Sequence, residues 1–369
     1  MFKFKFGFLA QLLQMFVLLF FTITVNAQVY IPEIQEQTMF KFKTGVNISY
    51  YEEYWKTDKE LLRHFPDLMA KVKLAHKLGF KTIRLPVSFD LFLEKDKKQI
   101  EKMLLDELYQ VYEYIDQQQM NLIITYHYGR LYKVADKKAE VQRIADMWKQ
   151  VVAKFKGKSY DNLFFGLYNE PRIGEEDWNL SAKQLMSSLR KEDQGRYWIV
   201  GGTNFNGIDA LINLKLIPGD NKIIYTFHFY QPYIFTHQGA PWDPQKTSIV
   251  GLPYPYNAAQ MPPMPSSPDK DTRYNYEHYP ERGNRAFIDK RIKKVHEWVI
   301  ANNVPILCTE VGAINTIKRE HRDSYMKDVI EVMGKYGLPL LIWDLDQTFS
   351  IVKGEEKTLK SVDDWIKSF

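Results

Sequence analysis

The chain has 369 residues, 45% of them hydrophobic and 26% charged, the balance of one large globular domain or two small ones. Its single cysteine, Cys308, excludes an internal disulfide and a thiolate metal cluster. The formal charge is +5, falling to +3 without residues 1–27, which hold Lys3 and Lys5 and no acid, so there is no electrostatic basis for binding nucleic acid.

Those first residues read as a leader. Lys3 and Lys5 precede the apolar stretch 16–21, and Val25, Asn26 and Ala27 offer small side chains for cleavage before Gln28. This is the pattern of a secretory signal peptide over residues 1–27, with a mature region over 28–369. The rival reading is a membrane anchor, for which the densest apolar run is shorter than the ~20 residues a spanning helix needs. A secreted or periplasmic protein follows, with no stable membrane insertion after cleavage.

In chain order, residues 28–40 read as a loose arm and 41–48 as a first strand, followed by a loop with Tyr50, Tyr51 and Trp55. Residues 66–78 carry apolar side chains at helical spacing and stop at Gly79, a residue suited to a left-handed cap. The second strand, 81–87, holds Arg84 between Ile83 and Leu85. Helices over 104–118 and 141–155 flank a third strand, 121–126, which delivers His127 and Tyr128. The fourth strand begins at Leu163 and ends in Asn169, Glu170 and Pro171. A helix over 180–190, a fifth strand over 197–201 and a sixth over 222–227 follow, the last delivering His228 and Tyr230.

Residues 231–283 form a long insertion that carries ten of the seventeen prolines. Its first part looks ordered, and 261–271 looks like an extended surface crossing. A helix over 285–301 leads to a seventh strand at 305–308, ending in Thr309 and Glu310. A helix over 325–336, an eighth strand over 338–342 delivering Trp343, and a last helix over 359–366 complete the chain.

Eight short apolar strands alternating with helices predict an α/β fold, a (β/α)8 TIM barrel, as a single domain with an insertion after strand 6. An open doubly wound sheet is the alternative, but no glycine turn of the G-x-G-x-x-G kind follows any strand. In a barrel the strand ends converge on one mouth. Two glutamates among Arg84, His127, Asn169, His228, Tyr230 and Trp343 are then unusual, because carboxylates avoid burial without partners. Two facing carboxyl groups, one donating a proton and one attacking, are what acetal hydrolysis requires. Taken alone, Asn169-Glu170-Pro171 also fits a plain strand-end turn.

The stretches LYNEP, TEVGA, IRLPVSF, HFY and WDLD, in this order of strands four, seven, two, six and eight, together resemble glycoside hydrolase family 5, the cellulase family of retaining (β/α)8 enzymes. The resemblance implies Glu170 as acid/base and Glu310 as nucleophile. It also implies Arg84 and Tyr230 as hydrogen-bond donors to Glu310, Asn169 on the sugar 2-hydroxyl, His127 and His228 as orienting groups, and Trp343 as the floor of a sugar subsite. Thr309-Glu310-Val311-Gly312 departs from the family's usual Gly-Glu-Phe-Gly, and His127-Tyr128 from its usual pairs. The segment FTHQGAPW is similar to one in cellulases of the family, and it places His237 and Trp242 as further substrate contacts.

The expected activity is therefore endo-acting hydrolysis of a β-1,4-glucan by a monomer without a cofactor. No metal is expected, since the histidines stand singly, without His-x-His spacing. Cys308, inside an apolar strand, reads as a small buried hydrophobe. A β-mannanase, a xyloglucanase and an exo-β-1,3-glucanase are the alternatives within the family. A carbohydrate-binding barrel without turnover is the alternative outside it.

Overall fold

Eight parallel strands pair in sequence order and close on themselves, β8 returning to β1. They are β1 (Gly45–Asn47), β2 (Thr82–Val87), β3 (Asn121–Tyr126), β4 (Leu163–Gly166), β5 (Trp198–Gly201), β6 (Ile223–Phe229), β7 (Ile306–Val311) and β8 (Leu340–Ile342). This is the (β/α)8 barrel that the alternation of elements predicts. The computed structural model describes residues 29–52, 64–94, 98–243, 247–353, 356–357 and 359–369. The expected leader over 1–27 and Trp55 lie outside the described residues. Ile31–Phe369 form one compact unit.

Helix α1 (Glu33–Lys41) precedes the barrel. Helices α2 (Phe65–Lys77), α3 (Lys102–Gln117), α4 (Lys137–Lys154), α5 (Glu175–Leu189), α6 (Arg285–Asn302) and α7 (Arg319–Lys335) return the chain between strands, with the short helix Ile208–Ile212 after β5, and α8 (Lys360–Lys367) closes it. The helices after α1 form because one stripe is apolar. In α3 the buried Leu104, Leu108, Val111 and Ile115 recur every three or four residues and lie against the sheet. Asp136 caps α4 through Ala139 N, Asn284 caps α6 through Phe287 N, and Gly79, at a φ of +97°, ends α2 in the left-handed region.

The strands are buried on both faces, which is why they read as continuous apolar runs. Inside the barrel, Ile123, Phe164, Ile199, Ile224, Leu307 and Leu341 form the lower core, and Phe42 packs against it. Two residues further along β3, β6 and β7, at Thr125, Thr226 and Thr309, the interior turns polar. Thr226 and Thr309 share a hydrogen bond of 2.6 Å, and the next inward positions are His127, His228 and Glu310. A period of two thus carries β3 and β6 from packed hydrocarbon at their starts to chemistry at their ends.

On β7 the period breaks. Phe227 pairs with Cys308 but His228 pairs with Glu310, so Thr309 is an extra residue. This bulge lets Thr309 and Glu310, though adjacent, both face inward, with Thr309 reaching Thr226 and Glu310 reaching the mouth.

Three expectations are corrected. Residues 28–40 are not a loose arm: 33–41 are helical, and β1 begins only at Gly45. Gln35, fully buried, explains the order. Its Nε2 donates to Ile306 O at 3.0 Å and Gly337 O at 2.8 Å, and its Oε1 accepts from Ile306 N at 2.8 Å. Losing that side chain would leave buried backbone groups unpaired, at about 1–3 kcal/mol. Helices α5 and α7 start at Glu175 and Arg319, ahead of the expected 180 and 325. In the insertion, the stretch expected to be extended gives way at Lys270 to a helix over Lys270–Glu277, capped by the Asp269 side chain on Asp271 N and Thr272 N. Cys308 is fully buried, and burial pushes its thiol pKa well up, so it packs as a small apolar residue.

Candidate active site

Arg84 on β2 is the hub of the mouth, 3% exposed. Its Nη1 donates to Glu310 Oε1 at 2.7 Å and to Asn47 Oδ1 at 2.8 Å; its Nη2 donates to Asn169 Oδ1 at 2.7 Å and lies 3.2 Å from His127 Nε2. Asn47 ends β1 and is itself fixed by Nδ2 bonds to Thr309 O at 3.0 Å and Ile342 O at 3.1 Å. The second oxygen of Glu310 accepts from Tyr230 OH at 2.9 Å. The planar guanidinium fork thus ties four strands to one carboxylate.

Glu170 leaves β4 in the left-handed region, at a φ of +48°, a conformation that costs a non-glycine residue roughly 1–3 kcal/mol and is found where function holds it. Its Oε1 lies 2.8 Å from His228 Nδ1, which is also 3.4 Å from Glu310 Oε2. One oxygen of Glu170, one of Glu310 and a ring nitrogen of His228 lie within 4.8 Å of one another.

The two carboxyl groups differ in their surroundings. Glu310 receives Arg84 and Tyr230, and its side chain is 6% exposed. The Glu170 side chain keeps 23% of its surface open. Burial of its carboxyl nevertheless pushes its pKa up to about 7, with Arg84 and Arg172 pulling the other way. Burial also lowers His228 to about 4, Glu310 opposing and Arg84 adding to the shift, and it takes His127 well below its usual range. Both imidazoles are therefore neutral near pH 7.

Trp343, at the exit of β8, is half-buried and lies parallel to the His127 ring at 5.8 Å. Gly312 makes that exit possible, since a Cβ there would meet Trp343 O at 2.2 Å. The ring of residues is built from Arg84 within β2 and from the ends of β1, β3, β4, β6, β7 and β8, and it is of the kind a sugar-cleaving barrel needs.

The family model for "Cellulase (glycosyl hydrolase family 5)" matches residues 37–348, from α1 to the loop after β8. The chain belongs to glycosyl hydrolase family 5. Among curated relatives, Endoglucanase 3 of Fibrobacter succinogenes is 27% identical over 345 residues, 87% of this chain. The chain spans about half of that relative, 52% of its length. Endoglucanase C of Acetivibrio thermocellus is 24% identical over 324 residues, covering 83% of this chain and 92% of the relative. Among solved structures, a hyperthermophilic endo-beta-1,4-glucanase in complex with substrate superposes with a TM-score of 0.70 at 24% identity, over 91% of this chain and 99% of that one. Thermotoga maritima Cel5A in complex with cellobiose superposes with a TM-score of 0.73 at 22% identity, over 90% and 99%. These structures agree on the fold.

In this family 5 barrel the residues named from the sequence fall into two groups. Arg84, His127, Asn169, Glu170, His228, Tyr230, Glu310 and Trp343 come together at the mouth. His237 and Trp242 lie to one side, in the insertion. His237 is buried, stacked on Tyr233 at 4.1 Å and edge-on to Tyr230 at 5.0 Å, with Nδ1 2.9 Å from Thr236 Oγ1. Trp242 is 54% exposed, its ring 6.2 Å from Phe349. Phe235 and Gln238 are buried, and Gln238 holds the loop through Leu252 N at 2.9 Å.

Two contributors escape the sequence reading. Asn47 was legible in principle, as a polar residue inside a strand buried on both faces. Asn206 follows β5 in a stretch that reads as a turn, yet its Nδ2 lies 3.2 Å from His228 Nε2.

Proposed function

We propose that this family 5 chain hydrolyses β-1,4-linked glucan at internal bonds by double displacement, with Glu310 as nucleophile and Glu170 as acid/base. The observation that carries the reading is the close carboxyl pair in unequal settings. One oxygen of each carboxyl group lies within 4.8 Å of the other, a closeness that favours the ~5–5.5 Å carboxyl separation of retaining enzymes over the ~6.5–9.5 Å of inverting ones. The names of the relatives, endoglucanases, support the substrate class.

Glu310 Oε2 or Oε1 attacks the anomeric carbon while the Glu170 carboxylic acid gives its proton to the departing glycosidic oxygen. Glu170, now a carboxylate, then takes a proton from water, whose oxygen attacks the same carbon and releases Glu310. Arg84 and Tyr230 fix the nucleophile. Asn169, its Oδ1 held by Arg84, has its amide N–H2 to offer the sugar 2-hydroxyl. Trp343 offers a ring face against which a sugar can lie.

The test is a panel of purified glucans and mannans with product sizes and the first-formed anomer read by NMR. The expected result is shortened β-1,4-glucan chains with β-anomers first; α-anomers first would reject double displacement. Mannan belongs in the panel because Thermotoga maritima Cel5A, a neighbour in fold, has been solved with mannotriose as well as with cellobiose.

Because Glu170 must be protonated to act first, and burial sets it at about 7, kcat/KM should fall above about pH 7. A pH profile that stays flat to pH 9 would show that another group supplies the proton.

We also propose that Trp242 stacks on a glucosyl ring on the leaving-group side. Trp242→Ala should weaken polymer binding by about ten- to a hundredfold, the equivalent of roughly 1–3 kcal/mol for one stacking platform. An aryl glycoside too small to reach the subsite should be unaffected. Equal losses on both, with a lowered melting temperature, would mean that Trp242 only pins the loop.

Export by the leader over 1–27 belongs to the same proposal. N-terminal sequencing of the exported protein should begin at or near Gln28, and Met1 retained in a membrane fraction would contradict it. No helix among the described residues is long and apolar enough to cross a membrane.

A further inference from the structure

Three consecutive residues after β5, Asn204, Phe205 and Asn206, all have left-handed backbone, with φ of +46°, +59° and +52°. Asparagine tolerates that region and phenylalanine rarely adopts it, so the segment is held by what it presents. Phe205 is turned outward, 53% exposed, and Asn206 inward, 2% exposed. Gly201 leaves the space Asn206 fills, since a Cβ on Gly201 would meet Asn206 Oδ1 at 2.5 Å. Within this space Nδ2 lies 3.2 Å from His228 Nε2, while Oδ1 is buried without a partner.

The other ring nitrogen decides what that contact means. His228 Nδ1 faces Glu170 Oε1 at 2.8 Å and Glu310 Oε2 at 3.4 Å. A bare nitrogen lone pair against two carboxyl oxygens is repulsive, so Nδ1 carries the proton. A neutral ring then has a lone pair on Nε2, and a buried lone pair needs a donor. Asn206 is the donor at that atom.

We propose that Asn206 is a positioning residue that fixes His228 as the neutral Nδ1–H tautomer, so that the ring donates to Glu170 Oε1 and the proton Glu170 delivers is carried on its other oxygen. This rests on the reading of Glu170 as the acid. A ring turned to the other tautomer would ask Glu170 to donate its proton to Nδ1 and so withhold it from the leaving group. The groups facing Glu170 and His228 are Arg84 from β2, His127 from β3, Arg172 beyond β4, Tyr230 and Tyr233 beyond β6, and Glu310 from β7. His228 Nδ1, 2.8 Å from Glu170 Oε1, is in hydrogen-bond contact with that oxygen, which is why the tautomer matters.

Two variants are compatible with the left-handed backbone. Asn206→Gly accepts left-handed angles and deletes the amide. Asn206→Asp keeps shape and angles and replaces the donor by an acceptor, which draws a proton onto Nε2 and makes the ring an imidazolium beside Glu170. For both, the aryl-release step should slow about tenfold on a cellobioside with a poor leaving group and stay within about twofold on one with a dinitrophenyl leaving group, with KM little changed. In Asn206→Asp, the alkaline limb of kcat/KM should also move to lower pH by about one unit, because a new positive charge favours ionised Glu170.

Equal slowing on both substrates, with an unmoved alkaline limb, would overturn the proposal and leave Asn206 a packing residue. Glu170→Ala in the same series separates the two readings. If it shows no dependence on the leaving group, the acid assignment is wrong and the role of Asn206 falls with it; if it does and the Asn206 variants do not, the Asn206 proposal alone is wrong.

Discussion

Glu310→Ala should lose turnover by at least about 10⁴-fold on every substrate, activated or not, because no other group can form the covalent glycosyl-enzyme. The neighbouring carboxyl group, Glu170, has its Oε1 2.8 Å from His228 Nδ1 and in the proposed mechanism serves as the proton donor. Glu170→Ala should behave differently. With a poor alkoxide leaving group it should lose roughly 10²–10⁴-fold, the usual range for a general acid. With an activated aryl leaving group it should release the first equivalent of aryl alcohol at close to the normal rate and then slow, because the base that activates water in the second step is also missing. A stopped-flow trace with a burst for Glu170→Ala and none for Glu310→Ala is the expected pair. Equal rescue of both variants by the activated substrate would refute the division of roles.

Much of this site was legible because barrel strands obey a period of two and deliver their last inward residue to one mouth. His127 and His228 could be read in that way from apolar runs ending in a polar side chain, and Arg84 from its place between Ile83 and Leu85 inside a buried strand. The bulge on β7 could not, since ILCTEV is apolar enough to be one unbroken strand, and the extra residue appears only when His228 is paired with Glu310. Helix α1 was missed for another reason. It is held by the Gln35 side chain on β7 and Gly337, a tertiary bond, and has no strong apolar stripe for periodicity to find. Asn206 depends on three left-handed residues, and a run of asparagine around phenylalanine reads equally well as an ordinary turn. Nearness in sequence to the sixth strand could not tell which side chains of the insertion reach the cleft. The turn over Tyr233–Thr236 folds His237 beneath Tyr233 while Trp242 stays exposed.

Arg84→Met should cost turnover roughly 100- to 1000-fold, with a measurable loss of stability. The variant keeps the length and apolar stem of the side chain and removes its charge. Glu310 would then keep the Tyr230 hydroxyl and lose the guanidinium at 2.7 Å, leaving a buried carboxylate without its cation, at about 3–5 kcal/mol when one partner of such a pair is removed. Asn47 Oδ1 and Asn169 Oδ1 would lose the same donor. Their loss matters separately, because Asn169 is oriented by Arg84 and its other amide group is what remains for the sugar. Arg84→Lys divides the two contributions. A lysine restores a positive charge but, as a point donor, cannot span Glu310, Asn47 and Asn169 with the planar fork. It should therefore recover most of the stability while leaving kcat about tenfold low and KM raised, as Asn169 drifts. Calorimetric melting with kcat and KM on a soluble glucan reads both terms. If Arg84→Met keeps kcat within about fivefold of the unmodified enzyme, the buried ion pair is not what holds Glu310, and the Tyr230 hydroxyl with the β7 bulge must suffice.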